Sequence, residues 1–104
     1  MDRKGIRKIE DFLDSLKKIY NPEKIILFGS RARGNSLKES DYDIIVVSRK
    51  FKNIHFLERI SDLLELWDHD YHIDILPYTP EEFEQKKKEI GIVAKAVKEG
   101  IELK

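Results

Sequence analysis

Two short apolar runs, separated by a glycine and a polar segment, constrain the fold of this 104-residue chain more than any other feature. The first run is Ile25–Phe28, and Gly29–Ser30 follows it directly. The second run is Ile44–Val47, and Asp41–Asp43 precedes it. Short apolar runs bounded by turn residues are typical of buried strands. We therefore predict two strands, and the continuous second run indicates burial on both faces, as in a central strand.

Asp41 and Asp43 are spaced so that both face the same side of a strand. Side chains alternate along a strand, so these two carboxylates would lie roughly 6–7 Å apart. Carboxylates that close repel each other, and a divalent cation is the usual way of keeping both ionised. Gly29 lets a ligand approach the backbone, and Ser30 adds a hydroxyl beside exposed N–H groups. The pattern predicts a metal-binding pair next to a phosphate-binding turn, which suits a metal-bound nucleotide.

The rest of the chain predicts helices that alternate with strands. Apolar residues at steps of three and four indicate amphipathic helices, and Thr79–Glu82 is typical of a helix start. Residues 101–103 would be either a tail or a short edge strand. The predicted order is helix 2–20, strand 25–28, a helical turn at 30–34, strand 42–47, helix 56–67, strand 71–77, helix 80–89 and a last helical turn or two before Gly100. This order predicts an α+β fold with one sheet backed by helices.

Charge and composition exclude several classes of protein. Lys plus Arg and Asp plus Glu each number 20, so the net charge is zero, which argues against a general binder of nucleic acids or membrane surfaces. No apolar run is long enough to span a bilayer, and the first residues do not resemble a signal segment. The absence of cysteine excludes disulfides and zinc–thiolate sites. We expect a single domain over residues 1–104, in the cytoplasm.

A spaced motif connects the two strands to a known superfamily. Gly29–Ser30, ten intervening residues and Asp41-x-Asp43 resemble the signature of the DNA polymerase β-like nucleotidyltransferases. The sequence G-S-R-A-R-G followed by S-D-x-D is similar to the motif of the smallest branch, the minimal nucleotidyltransferase (MNT) proteins. The family pattern also has a third acid on a later strand, and Asp74 matches it. The resemblance covers residues 24–76 and implies the polymerase-β-like fold, a small mixed sheet in the order α-β-α-β-α-β-α.

The resemblance implies that three acids carry catalysis and metal binding. Asp41 and Asp43 would ligate two Mg²⁺ ions, with Mn²⁺ as the alternative, and so hold the triphosphate. Asp74 would bind the catalytic ion and help to lower the pKa of the acceptor hydroxyl. Two plainer interpretations stay open, with Asp41 as a turn residue and Asp74 in an ion pair with an arginine.

The resemblance also assigns the nucleotide-binding residues and the reaction. Gly29 and Ser30 would hold the β- and γ-phosphates of the nucleotide. Arg31 and Arg33 would place guanidinium groups on the phosphates, or else be solvated. An acceptor hydroxyl would attack the α-phosphorus of a nucleoside triphosphate, ATP by preference. The products are a nucleotidylated acceptor and pyrophosphate.

The acceptor is the part of the function on which the alternatives differ most. MNT proteins of this appearance are typically the antitoxin of a pair with a HEPN-domain toxin, a ribonuclease. The resemblance implies transfer of AMP to a tyrosine of that partner, which disables it. Two other classes stay open, a transferase with a small-molecule acceptor such as an aminoglycoside, and a non-catalytic module that neutralises its partner by contact. A second copy of the chain is the other candidate partner, and no stable binding of nucleic acid or membrane is expected.

Overall fold

A four-stranded mixed sheet with helices on both faces forms the framework of the chain. The computed structural model describes residues 9–29, 42–68 and 72–104. The elements are α1 (Glu10–Tyr20), β1 (Lys24–Phe28), β2 (Tyr42–Val47), a 3₁₀ turn (Arg49–Phe51), α2 (Phe56–Leu64), β3 (Ile73–Tyr78), α3 (Pro80–Lys88), α4 (Ile92–Glu99) and β4 (Ile101–Glu102). The α+β fold class is confirmed.

The strand order is β3-β2-β1-β4, so the two strands predicted from the apolar runs lie at the centre of the sheet. β1 pairs antiparallel with both β2 and β4, whereas β2 and β3 run parallel. Ile44–Val47 is buried along its whole length, which confirms the prediction of a central strand. Residues 101–102 form an edge strand rather than a tail, because β4 pairs with Ile26 and Leu27.

Two apolar layers enclose the sheet, because side chains alternate between the faces of each strand. The layer beneath α1 contains Ile9, Phe12, Leu13, Leu16, Ile25, Leu27, Tyr42, Ile44, Val46, Phe51, Leu63, Ile73 and Ile75. The layer beneath α3 and α4 contains Ile26, Phe28, Ile45, Val47, Tyr78, Phe83, Val93 and Ala96. Asp43 is two residues from Ile45, so its side chain points to the α3 and α4 face of the sheet.

Helix α2 ends at Leu64, three residues before the predicted end near Trp67. The amides of Leu66 and Trp67 donate to the carbonyl oxygens of Leu63 and Leu64, each at 3.0 Å. Bonds to the third residue back tighten the chain, as is common after a helix. This turn brings the Trp67 ring edge-on to Phe12, with ring centroids 5.0 Å apart. The apolar spacing that predicted a longer helix therefore reflects packing in the core.

The other predicted bounds agree with the structure to within two residues where it describes them. β3 begins at Ile73 and extends to Tyr78, and α3 ends at Lys88. Residues 2–8 of the first predicted helix and the predicted helical turn at 30–34 lie outside the described residues. Of the helices in the described ranges, none is both long and apolar enough to cross a lipid bilayer.

The start of α3 is fixed by the capping box that the sequence predicts. The Thr79 hydroxyl accepts a hydrogen bond from the Glu82 amide at 3.3 Å, and the Glu82 carboxylate accepts one from the Thr79 amide at 2.8 Å. Arg59 of α2 donates to both carboxylate oxygens of Glu82, at 2.6 and 3.2 Å. This ion pair could not be predicted from the sequence, because its members are 23 residues apart and no local periodicity connects them.

Replacing Glu82 with glutamine is expected to flatten the dependence of stability on pH. The hydrogen bond from Arg59 lowers the pKa of the Glu82 carboxyl below its usual value. A group with a lowered folded-state pKa stabilises the fold fully above its unfolded pKa, and this contribution is lost as pH falls through the folded pKa. Thermal midpoints measured from neutral pH into the acid range test this, with exposed Glu81→Gln as the control. An acid-side fall as steep in Glu82→Gln as in the wild type would contradict it.

Candidate active site

Two of the predicted acids and the predicted glycine meet at one end of the sheet. In the antiparallel pair of β1 and β2, Phe28 lies opposite Asp43, so Gly29 leaves β1 beside the start of β2. In the parallel pair of β2 and β3, Asp43 lies opposite Asp74. Neighbouring strands are about 4.8 Å apart. The register therefore brings the two acids side by side on one face of the sheet, with the Gly29 turn next to Asp43.

Gly29 occupies a position that only glycine suits. Its φ angle is 80°, in the left-handed region that residues with a Cβ atom rarely adopt. A Cβ atom built on this backbone would overlap the carboxylate of Asp43. The Asp43 carboxylate therefore packs directly against the backbone of the turn. The prediction that Gly29 lets a ligand approach the backbone stays a prediction, because the group in contact with Gly29 is the protein's own acid.

Asp74 is an exposed acid rather than a buried one. Ile73 and Ile75, on either side of it, are buried in the layer beneath α1, and alternation puts Asp74 on the opposite face. Its side chain is 60% exposed, and one carboxylate oxygen lies 3.1 Å from Nε2 of His72. The open interpretation that Asp74 pairs with an arginine is not found among the described residues. Since the carboxylate is exposed to solvent, it needs no buried partner.

Helix α4 forms the second wall of a cleft at this end of the sheet. The cleft has a volume of about 210 Å³, and Phe28, Gly29 and Asp43 form its sheet side. The helix side consists of Ile92, Lys95, Ala96 and Glu99. These residues follow the three- and four-residue steps of one helix face. The sequence predicts a helical turn or two here but not this face of the helix, because nothing in the local sequence says that the helix returns over the Gly29 turn.

The remaining predicted site residues are Ser30, Arg31, Arg33 and Asp41, and they lie outside the described residues. Within residues 9–29, 42–68 and 72–104, no three acids or histidines gather closely enough to hold a metal ion. The predicted triad includes Asp41, so this observation does not test it.

The two described acids have the chemistry that magnesium requires. Asp43 and Asp74 supply carboxylate oxygens from paired positions on adjoining strands. Mg²⁺ prefers oxygen ligands and is usually held by one or two carboxylates together with phosphates of the substrate. The donor set therefore fits a magnesium ion.

The sheet and the helices on its two faces match the fold of a solved structure. The fold is that of the polymerase-β-like nucleotidyltransferases, and it matches a crystal structure from Sulfolobus solfataricus described as a "putative nucleotidyltransferase". The TM-score is 0.64 at 22% identity, and the match covers 93% of this chain and 79% of that chain. Identity this low supports a common fold only.

Family membership follows from the sequence. Residues 6–99 match the sequence model of the nucleotidyltransferase domain, so this chain belongs to the nucleotidyltransferase domain family. The family suggested by the Gly-Ser and Asp-x-Asp pattern is thereby confirmed. Enzymes of this family transfer nucleotidyl groups.

Two proteins of Methanocaldococcus jannaschii are similar to this chain in sequence. "Putative protein adenylyltransferase MJ1305" is 30% identical over 96 residues, which are 88% of this chain and 65% of that protein. "Putative protein adenylyltransferase MJ0604" is 49% identical over 43 residues, which are 39% of this chain and 43% of that protein. The chain therefore spans less than two thirds of the length of either relative.

Proposed function

We propose that this chain transfers AMP from ATP to a hydroxyl group of a partner protein, with a tyrosine of a HEPN-domain toxin as the first candidate, and so acts as an antitoxin. The observation that carries the proposal is the register of the sheet, which brings Asp43 and Asp74 together beside Gly29. The family supports nucleotidyl transfer in general. The names of the two relatives support adenylyl transfer to protein.

The residues at this end of the sheet have separate roles in the proposal. Asp43 and Asp74, together with Asp41, would hold Mg²⁺. Once bound, Mg²⁺ would neutralise phosphate charge and orient the triphosphate. Gly29, together with Ser30, would present backbone N–H groups to the β- and γ-phosphates, because glycine has no side chain between the backbone and a ligand.

The transfer itself makes one bond and breaks another. The acceptor oxygen bonds to the α-phosphorus, and the bond from that phosphorus to the oxygen bridging the β-phosphate breaks. Pyrophosphate leaves with the bridging oxygen, and the hydroxyl proton passes to solvent or to a carboxylate. Asp74 is suited to the acceptor side of this step, since its side chain is 60% exposed and a hydroxyl arriving from solvent can reach it. Arg31 and Arg33 would add guanidinium contacts to the phosphates.

Apolar residues beside the cleft support a protein acceptor over a small sugar-like one. Ile92 lines the cleft and is 58% exposed, and Ile90, two residues earlier, is fully exposed. An exposed aliphatic side chain in the wall of a cleft, with a second one two residues away in the sequence, favours an apolar partner surface. A small acceptor rich in hydroxyl groups would gain little from covering these apolar side chains.

Labelling with ATP tests the proposed reaction directly. We expect α-labelled ATP and Mg²⁺ to label one protein in an extract of the source organism when the wild-type chain is added. The same reaction with γ-labelled ATP should leave that protein unlabelled, because the γ-phosphate departs in pyrophosphate. Mass spectrometry of the labelled protein should identify a tyrosine that carries AMP.

The control is the Asp41→Asn/Asp43→Asn double variant, whose circular dichroism should match that of the wild type. Equal labelling by this variant would refute the metal-dependent mechanism. Label on a small hydroxylated compound in place of a protein would replace the proposed acceptor with a small-molecule one. If the variant neutralises the toxin as well as the wild type does, the chain acts by contact and the enzymatic proposal fails.

A further inference from the structure

Lys95 is the one cation among the described residues that line the cleft. It has no role in the nucleotidyl transfer proposed above. It lies on α4, across the cleft from Gly29 and Asp43. Its side chain forms no hydrogen bond or ion pair with any other residue that the structure describes. A solvated ammonium facing a cleft that already contains a candidate metal ligand is available to a ligand of opposite charge.

The position of Lys95 is set by close packing of α4 on the sheet. Val93 and Ala96 of this helix are buried in the layer that also contains Phe28. A Cβ atom on Gly100, directly after the helix, would lie 2.5 Å from the carbonyl oxygen of Ala96 and 2.9 Å from that of Leu27. The end of the helix therefore sits against β1 with no room for a side chain. Lys95 thus projects from a wall that is held at a fixed distance from the Gly29 turn.

The charges around the cleft indicate which kind of ligand it can bind. Asp43 supplies negative charge on the sheet side, and Lys95 and Glu99 supply one charge of each sign on the helix side. A ligand that contacts both a metal-bound Asp43 and the Lys95 ammonium must carry several anionic oxygens along its length. A nucleoside triphosphate does so, because its phosphates extend beyond the group that the metal holds. AMP carries a single phosphate and cannot reach both sides in the same way.

We infer that Lys95 is a substrate-binding residue that contacts the terminal phosphates of the nucleotide from the helix wall of the cleft. This inference rests on the proposed function, because it takes Gly29 and Asp43 as parts of the nucleotide site. It adds a phosphate contact outside the glycine and acid motifs. The leaving pyrophosphate is thereby held from two sides, by the Gly29 turn and by α4.

Binding measurements with nucleotides of different phosphate number test the inference without any acceptor. The probe is the Mg²⁺ complex of α,β-methylene-ATP, which cannot be cleaved between the α- and β-phosphates, titrated calorimetrically at fixed ionic strength. We expect Lys95→Gln to weaken its binding about tenfold, the size of one charge-assisted hydrogen bond. Binding of AMP should be unchanged, and Lys95→Arg should restore most of the loss.

The matched control is Lys98→Gln, which removes an exposed cation from the same helix outside the cleft. Equal weakening by both variants would attribute the effect to general charge and overturn the inference. Wild-type affinity in Lys95→Gln would overturn it as well, while leaving the proposed function intact. If the wild-type protein does not bind the triphosphate analogue at all, the proposed function itself fails, and the inference fails with it.

Discussion

Replacing Gly29 with alanine is expected to reduce nucleotidyl transfer about 100-fold, the usual cost of moving a catalytic group by about 1 Å. The new methyl group would overlap the Asp43 carboxylate, so either the turn or the acid must move. The same methyl group would sit at a φ angle of 80°. The left-handed conformation costs a residue with a Cβ atom about 1–2 kcal/mol. The substitution therefore displaces a proposed metal ligand and lowers the free energy of unfolding at once.

Transfer rates and urea unfolding, measured on the same protein samples, separate these two effects. Gly91→Ala is the matched control, because a Cβ atom on Gly91 meets nothing within 4 Å. It should retain wild-type transfer and wild-type stability. Full transfer activity in Gly29→Ala would show that the contact between the turn and Asp43 has no role in catalysis. Loss of stability with transfer retained would leave Gly29 as a purely structural residue.

The two central strands, Asp43 and the Gly29 turn could be predicted from the sequence because a local pattern of residues marks each of them. Ile25–Phe28 and Ile44–Val47 are apolar runs bounded by turn residues, and such runs form central strands wherever both faces are covered. The two-residue alternation then fixes the face on which Asp43 lies. Gly29 was predictable as a turn, since it interrupts an apolar run directly before a polar segment.

The helix wall of the cleft depends on contacts between distant residues, which no local pattern reveals. The periodicity of Ile92–Glu99 predicts a helix but not the strand on which it packs. Its place follows from Val93 and Ala96 meeting side chains of β1 and from the close approach of Gly100 to Leu27. Alternation along β3 puts Asp74 on the face opposite Ile73 and Ile75, but its 60% exposure depends on how distant parts of the chain pack over that face.

Arg59→Met is expected to lower the free energy of unfolding by about 2–3 kcal/mol, the cost of leaving buried polar groups without partners. Arg59 is 6% exposed and links three parts of the fold. Besides its two bonds to Glu82, it donates to the carbonyl oxygens of Ile54 at 2.8 Å and Pro77 at 3.2 Å. Methionine keeps the length of the apolar stem but supplies no donor. The buried Pro77 carbonyl and the partly buried Ile54 carbonyl would therefore lose their bonds from Arg59, and the Glu82 carboxylate would keep only its bond from the Thr79 amide.

The loss should appear as a fall of roughly 10 °C or more in the thermal midpoint, given about 4–8 °C per kcal/mol for a domain of this size. Lys87→Met is the control, since Lys87 pairs with Glu84 at 2.8 Å on the surface, where such pairs often contribute nothing measurable. The double variant Arg59→Met/Glu82→Gln should lose less than the sum of its single variants, because both remove the same interaction. An unchanged midpoint in Arg59→Met would mean that solvent replaces its hydrogen bonds, and α3 would then be held by its capping box and by the packing of Phe83.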